Sequence, residues 1–234
     1  MSLVIKTTTK VEDAAEFVAA KILNELESGR GVLFFVTGGS SINVASEVAK
    51  IFQKEIKENP NQDLFKKLTV MLTDERYGPL QHSESNWQQL MIKGFDIPGA
   101  LLIPILTGDN QIVTTEKFNE NLKREFELAE AENKYKISLF GVGPDGHTCG
   151  ILPNTIAVNS PDLACSHDTA TFSRITITPK VIEKFDEGVV WVQGENKWPV
   201  IKDLSEKNVD LEKQPAQVLK RIPTLTIFTD YQSR

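Results

Sequence analysis

Residues 32–41, VLFFVTGGSS, give the clearest indication of the fold class. Its first five residues form a continuous apolar run, which is typical of a strand buried on both faces of a parallel sheet. A glycine-rich turn ends the run, and apolar residues then recur at helical spacing from Val44 to Phe52. The sequence therefore predicts a strand that leads through a glycine turn into a helix, as at the start of a βαβ unit.

The same alternation extends in both directions along the chain. A helix is predicted before this strand, over residues 11–26, and another near 116–132, because apolar residues recur there at helical spacing. Further strands are predicted at 68–72, 136–140, 171–177, 188–193 and 223–228. Strands that alternate with helices imply an α/β fold, with a mostly parallel sheet covered on both sides.

The bulk composition fits one packed domain. The chain has 234 residues, of which 40% are hydrophobic and 25% are charged, an ordinary balance for a globular protein. No repeat, low-complexity tract or Pro/Gly/Ser-rich linker divides it. We therefore expect a single domain over residues 1–234.

Charge, cysteine content and hydropathy limit the kinds of binding partner and the cellular compartment that we expect. A net charge of −6 argues against binding to nucleic acids or anionic membranes, so a phosphate site would need its own local positive field. Cys149 and Cys165 form no CxxC pair, which argues against a disulfide framework or a zinc site. No apolar run reaches the ~20 residues of a membrane span, and the N-terminus lacks a secretion signal. We expect a cytoplasmic protein, either a monomer or a small homo-oligomer.

The loops after the strands are expected to carry the chemistry, because ligands of such sheets bind beyond the carboxyl ends of the strands. The first loop contains Gly38, Gly39 and Ser40 between a strand and a helix. Unpaired backbone N–H groups and the helix dipole favour an anion there. A tight turn with a serine cap is an equally open interpretation.

The second loop begins with Asp74, Glu75 and Arg76, directly after a buried strand. An arginine can bind phosphate through two hydrogen bonds, and an aspartate can orient a hydroxyl or accept a proton. A local ion pair at the strand end is the alternative interpretation. Asn86 follows at a predicted helix start and is a candidate for the same pocket.

The third loop, GVGPDGHT at residues 141–148, is the most specific feature of the chain. Glycines such as Gly143 permit close backbone approach, and Asp145 and His147 are presented together. Histidine is well suited to proton exchange near neutral pH, and a neighbouring carboxylate would orient it. We predict that His147 is a general base. The loop also matches GxGxxG, but it lies far from the first βα turn and contains Pro144, which argues against a dinucleotide site.

The remaining polar residues give weaker signals. Arg174 lies in a predicted strand, where alternation can point it at a ligand, although an isolated arginine is more often at the surface. Cys149 follows His147 by two residues, and this spacing alone does not bring its thiol within reach of the imidazole, so a cysteine nucleophile is a minor option. Three residues with loop-like surroundings are interpreted as solvated surface: His82, His167 and Asp168.

Several motifs together resemble the ordered motif set of the 6-phosphogluconolactonases. They are Gly-Gly-Ser at 38–40, Asp-Glu-Arg at 74–76 with Pro79, Ser-Asn at 85–86, GPDGHT at 143–148, Arg-Ile-Thr at 174–176, the Gly-x-x-Lys segment at 194–197 and Pro-Ala at 215–216. The resemblance runs through most of the chain. The chain departs from the family pattern at Ser41 and Ile42, where the family usually continues with Thr-Pro, and at Tyr77 and Gly78. These departures affect the expected shape of the pocket more than the reaction type.

The resemblance implies a three-layer α/β/α Rossmann-like fold, shared with glucosamine-6-phosphate deaminases. It implies hydrolysis of a small-molecule phosphorylated sugar lactone, 6-phospho-D-glucono-1,5-lactone, with no metal and no organic cofactor. The expected catalytic residues are His147 and Asp145. The residues expected to bind the substrate are Gly38, Gly39, Ser40, Asp74, Arg76, Asn86, Gly143 and Arg174, with backbone N–H groups near Gly143 facing the oxyanion.

Two other functions are weighed against this one. A glucosamine-6-phosphate deaminase would use Asp74 as a base at C2 of an opened sugar, but members of that family carry Asp-Glu-Tyr where this chain has Arg76. A non-catalytic sugar-phosphate sensor would normally carry a DNA-binding segment, and no helix-turn-helix-like extension or basic arm is evident in the sequence.

Overall fold

The computed structural model describes residues 2–60 and 63–232. Within these ranges the strands are β1 (Ser2–Thr7), β2 (Val32–Val36), β3 (Leu68–Leu72), β4 (Asp74–Arg76), β5 (Leu101–Ile103), β6 (Tyr135–Gly141), β7 (Ala164–Asp168), β8 (Ser173–Ile177), β9 (Glu187–Val192) and β10 (Thr224–Thr229). The helices there are α1 (Val11–Glu27), α2 (Ser41–Glu58), α3 (Asn86–Ile92), α4 (Gln111–Ala131), α5 (Pro179–Ile182) and α6 (Trp198–Glu206).

Seven strands form one parallel sheet in the order β1-β10-β9-β6-β2-β3-β5. Phe34 and Phe35 point to opposite faces of β2, and neither is exposed to solvent. Both faces of the sheet are therefore covered, and the predicted α/β class with a mostly parallel sheet is confirmed.

The strand order reverses at β2, and this reversal positions the cleft described below. From β2 the chain runs outward to β3 and β5, and it then returns to the other side of β2 with β6. The loops that follow β2 and β6 therefore leave the sheet side by side and diverge. In open α/β sheets, such a switch point is where ligands bind.

A second sheet was not predicted. It is antiparallel, with the order β4-β8-β7, and it begins where the chain leaves β3 at Thr73. The backbone of Thr73 links the two sheets, since its N–H donates to Val36 O and its carbonyl accepts from Ile177 N, both at 2.9 Å. β4 is only three residues long and carries three charges, so it lacks the apolar alternation by which strands are predicted.

Some predicted boundaries were also wrong. β8 begins at Ser173 rather than 171 and belongs to the small sheet. α4 begins at Gln111 rather than near 116, because the side chain of Asn110 caps the helix by accepting a hydrogen bond from Val113 N at 3.0 Å. Ile112, in the first turn, is 70% exposed, so this turn lacks the apolar signal of a buried helix face. In the described part of the chain, no helix is long and apolar enough to cross a membrane.

Candidate active site

A cleft opens at the carboxyl ends of β2 and β6. It brings together nine residues that the sequence analysis assigned to the site: Gly38, Gly39, Ser40, Asp74, Arg76, Asn86, Gly143, His147 and Arg174. Asp145 does not line the cleft but contacts His147. Two loops, two strands of the small sheet and the start of α3 therefore contribute to one site.

His147 is held in place by Asp145. Its Nδ1 lies 2.6 Å from Asp145 Oδ1, and its backbone N–H donates to the same oxygen at 3.2 Å. The carboxylate is an acceptor, so the proton of a neutral imidazole lies on Nδ1 and leaves Nε2 free to accept another. The side chain of His147 is 36% exposed, which leaves it accessible to water and substrate.

Steric and conformational constraints explain why this loop has glycine at positions 143 and 146. A Cβ on Gly143 would lie 2.2 Å from Cε1 of His147 and 2.8 Å from Oδ1 of Asp145, so any side chain there would displace the pair. Gly146 has a φ of +80°, which favours glycine. The N–H of Gly143 donates to His147 O at 2.9 Å. That N–H therefore closes its own loop and is not available to an oxyanion.

The first loop leads into the N-terminus of α2. Ser40 is the residue before the helix, is exposed, and makes no side-chain capping hydrogen bond, which disfavours the interpretation of this loop as a serine-capped turn. The N–H groups of Gly39, Ser40 and Ser41 donate to no other described residue. Free N–H groups at the positive end of a helix dipole are suited to an anion.

Two arginines face each other across the small sheet. Arg76 on β4 lies directly opposite Arg174 on β8. Arg76 donates to Glu84 O at 3.0 Å and to Glu84 Oε2 at 3.1 Å, whereas Arg174 pairs with Asp74 at 3.4 Å. The Nε atoms of both arginines are buried, with no hydrogen-bond partner among residues 2–60 and 63–232. The pair therefore has donors left for an anion.

Asp74 is the most enclosed carboxylate of the cleft, with 3% of its surface exposed. Its Oδ1 accepts from Thr37 Oγ1 at 3.2 Å and from Thr73 Oγ1 at 2.9 Å, and its Oδ2 contacts Arg174. Its backbone carbonyl accepts from Asn86 Nδ2 at 3.0 Å. Asp74 therefore both lines the cleft and anchors the side chain of Asn86.

Sequence reasoning missed the role of Glu75, which is fully buried next to the site. Its carboxylate accepts hydrogen bonds from the N–H groups of Arg76, Asn86 and Trp87 at 2.6–3.0 Å and from Ser85 Oγ at 2.9 Å. Burial raises the pKa of Glu75, and these four donors oppose that rise. Glu75 thereby fixes the start of α3. The predicted helix start is confirmed, with Ser85 as its N-cap.

Lys197 adds a third cation to the cleft wall, a position that the Gly-x-x-Lys segment suggested without a stated role. Burial lowers the pKa of Lys197, and nearby Asp230 opposes that shift. Asp230 also accepts from Gly194 N at 3.1 Å and from Trp198 Nε1 at 2.9 Å. Asp230 thus holds the turn that carries Lys197.

The interpretation of His167 as solvated surface was wrong. His167 lies in β7, is 8% exposed, and its Nε2 is 3.0 Å from Gly150 O. Its strand is short and polar, so the sequence carried no burial signal. His82 is half-buried, with Nε2 2.9 Å from Arg76 O, and Asp168 is exposed as expected.

Cys149 is buried and burial raises its pKa, which disfavours a thiolate nucleophile.

The fold and the cleft define an α/β protein in which a carboxylate-supported imidazole lies in one cleft with two arginines, a lysine and the N-terminus of a helix. The family described as "Glucosamine-6-phosphate isomerases/6-phosphogluconolactonase" matches residues 6–227. The chain belongs to this family.

Individual relatives are similar in sequence, and solved structures share the fold. The 6-phosphogluconolactonase of Chlamydia pneumoniae is 28% identical over 77% of this chain and 68% of its own length. That of Rattus norvegicus is 25% identical over 92% and 85%. Crystal structures of 6-phosphogluconolactonase from Thermotoga maritima (TM-score 0.75, 19% identity, 97% and 98% of the two chains) and the structure from Trypanosoma brucei (0.76, 18%, 97% and 96%) share the fold.

Proposed function

We propose that this protein hydrolyses 6-phospho-D-glucono-1,5-lactone to 6-phospho-D-gluconate. The observation that carries the proposal is the position of His147 and its supporting Asp145 in the same cleft as the α2 N-terminus and the arginine pair. An imidazole with a free Nε2 supplies a base, and the cationic wall supplies a site for a phosphate. The names of the relatives in the family point to the same reaction.

Binding of the 6-phosphate is assigned to the N–H groups around Gly39 and Ser40 and to Arg76 and Arg174, with Lys197 as a further cation. Charge-assisted hydrogen bonds to phosphate are strong and directional. The phosphate is remote from the lactone carbonyl, so its binding energy orients the ring against His147. Asp74 and Asn86 remain to contact sugar hydroxyls.

The chemical step is general-base hydrolysis. Nε2 of His147 takes a proton from water as the oxygen attacks C1, and Asp145 stabilises the imidazolium that forms. The tetrahedral intermediate then collapses, the C1–O5 bond breaks, and the imidazolium returns the proton to the departing ring oxygen. Since Gly143 N–H is engaged in its loop, the N–H groups of Cys149 and Gly150 are the better candidates for the oxyanion. Both residues line the cleft, and these N–H groups donate to no described residue.

An assay with two substrates tests the proposal against its enzymatic alternative. We expect the purified protein to speed the hydrolysis of freshly prepared 6-phosphogluconolactone well above its spontaneous rate, measured by coupling the product to oxidation by 6-phosphogluconate dehydrogenase. We expect no ammonia from glucosamine 6-phosphate. Ammonia release without lactone hydrolysis would assign the deaminase reaction instead, and tight binding of 6-phosphogluconate without any turnover would favour a sensor.

A further inference from the structure

The arginine pair of the cleft raises a problem of electrostatics. Like charges directly opposite each other in an antiparallel sheet repel and destabilise it, and Arg76 and Arg174 are direct cross-strand partners. Each has its own acidic contact, Glu84 for Arg76 and Asp74 for Arg174. Neither carboxylate contacts both guanidinium groups, so neither ties the pair together.

One side chain does contact both arginines. The ring of Phe172 has its centroid 4.9 Å from the Arg76 guanidinium carbon and 5.9 Å from that of Arg174. A cation within about 6 Å of an aromatic face is attracted by the ring quadrupole. We propose that Phe172 is a positioning residue that holds Arg76 and Arg174 together for the substrate's phosphate. This inference rests on the proposed function for the identity of the anion.

The backbone around Phe172 is fixed by its own hairpin. Phe172 lies in the turn between β7 and β8, and its N–H donates to Thr169 Oγ1 at 3.0 Å. Its carbonyl accepts from Thr169 Oγ1 at 2.8 Å and from Thr169 N at 2.9 Å. The ring is therefore carried by an ordered turn rather than by a free loop.

Core packing does not account for this ring. Phe172 is half-buried and is not among the described residues that form the hydrophobic core or pack against it. A phenylalanine at a polar rim that contacts two cations is better explained by those cations. Because the ring orients them without consuming hydrogen-bond donors, both Nε atoms stay free for an anion.

The test compares variants with and without an aromatic face. Isothermal titration with 6-phosphogluconate should give a Kd about five- to tenfold higher for Phe172→Leu, because two cation–π contacts are lost. Phe172→Met should match it, and Phe172→Tyr should stay within about twofold of the wild type. A Kd for Phe172→Leu and Phe172→Met equal to that of the wild type, or a loss in Phe172→Tyr as large as in Phe172→Leu, would overturn the proposal.

The chain offers a matched control. Phe17 is also half-buried and has two cations over its ring, Lys6 at 4.4 Å and Lys21 at 5.3 Å, but neither lysine lines the cleft. Phe17→Leu should leave the Kd unchanged. A rise equal to that of Phe172→Leu would show a general loss of packing and would contradict the positioning role.

A double-mutant cycle shows whether Phe172 acts through the arginines. In an Arg76→Ala/Arg174→Ala background the effect of Phe172→Leu should fall to within about twofold, since coupled residues are not additive. A full effect in that background would overturn the proposal. Inorganic phosphate serves as a second probe. If Phe172→Leu binds phosphate more weakly than the wild type but the wild type has no lactonase activity, the positioning role is kept and the proposed function is overturned.

Discussion

Asp145 fixes the orientation of the His147 ring, because one of its carboxylate oxygens is hydrogen-bonded to both the backbone N–H and Nδ1 of His147. The pair depends in turn on a glycine at position 143, because a Cβ there would overlap the imidazole. The motif predicted that Asp145 and His147 would be presented together, because it places them two residues apart in a glycine-rich loop. The burial of His167 and Glu75 was not predictable in the same way, because polar side chains in short polar strands carry no burial signal and their partners, Gly150 and residues 85–87, come into reach only in the folded chain.

His167 should make the stability of the fold depend on pH. Burial lowers the pKa of His167, and the Arg174 guanidinium adds to that effect against the opposing Gly150 carbonyl. The native state therefore favours the neutral ring, whereas the unfolded chain takes up a proton below about pH 6.5. The resulting stability is present above pH 6.5 and is lost as the pH falls towards the lower, folded pKa, by at most about 1.4 kcal/mol per pH unit.

Urea unfolding at pH 7.5 and pH 5.5 measures this effect against His167→Gln. We expect the wild type to lose more unfolding free energy on acidification than the variant does. His82 and His147 are present in both proteins, so their contributions cancel in the comparison. An identical pH dependence of the two proteins would show that His167 does not carry the effect.

Among the elements, the strands with buried, mainly apolar runs were predicted, as was β8, whereas the remaining strands, β1, β4, β5 and β7, were not. β2, β3 and β6 carry the runs that define a doubly covered sheet, and their predicted bounds agree with the structure to within one residue. β4 consists of Asp74, Glu75 and Arg76, and it is ordered by hydrogen bonds and ion pairs rather than by apolar contacts. Such strands carry no periodic signal, so the small sheet was missed.

The start of α3 should depend on Glu75. In Glu75→Gln the amide nitrogen cannot accept the hydrogen bonds that the carboxylate receives, so Asn86 loses its fixed position. We expect a several-fold rise in KM for the lactone and a loss of about 1–3 kcal/mol of unfolding free energy. Steady-state kinetics and urea unfolding measure the two effects.

Glu187 provides the control for this variant. It is also buried, accepts a hydrogen bond from Tyr135 and pairs with Lys21 at 3.0 Å. It is the first residue of β9 and therefore lies at the amino ends of the strands, whereas the cleft lies at their carboxyl ends. Glu187→Gln should lower the stability but leave KM unchanged. Equal KM values for Glu75→Gln and the wild type would remove the link between Glu75 and the site.

At the scale of the whole molecule, the fold explains how distant motifs form one site. The loops at 38–40 and 143–147 are about a hundred residues apart, and they meet because β6 returns beside β2 at the switch point. The parallel-sheet prediction placed both loops at the carboxyl ends of the strands, and the structure brings residues of both loops into one cleft. No role was predicted for Lys197 or Phe172, because a single residue in a polar segment carries no signal until the fold brings Lys197 to the cleft and Phe172 to the two arginines.

In the proposed function, one cleft joins a base to an anion site, and these two parts are separable. His147→Ala is the most direct test, with the rate of lactone hydrolysis and the Kd for 6-phosphogluconate measured on the same preparation. We expect kcat to fall by about 10²–10⁴ while the Kd stays within about twofold of the wild type, since the phosphate contacts are intact. Turnover near that of the wild type would contradict the account.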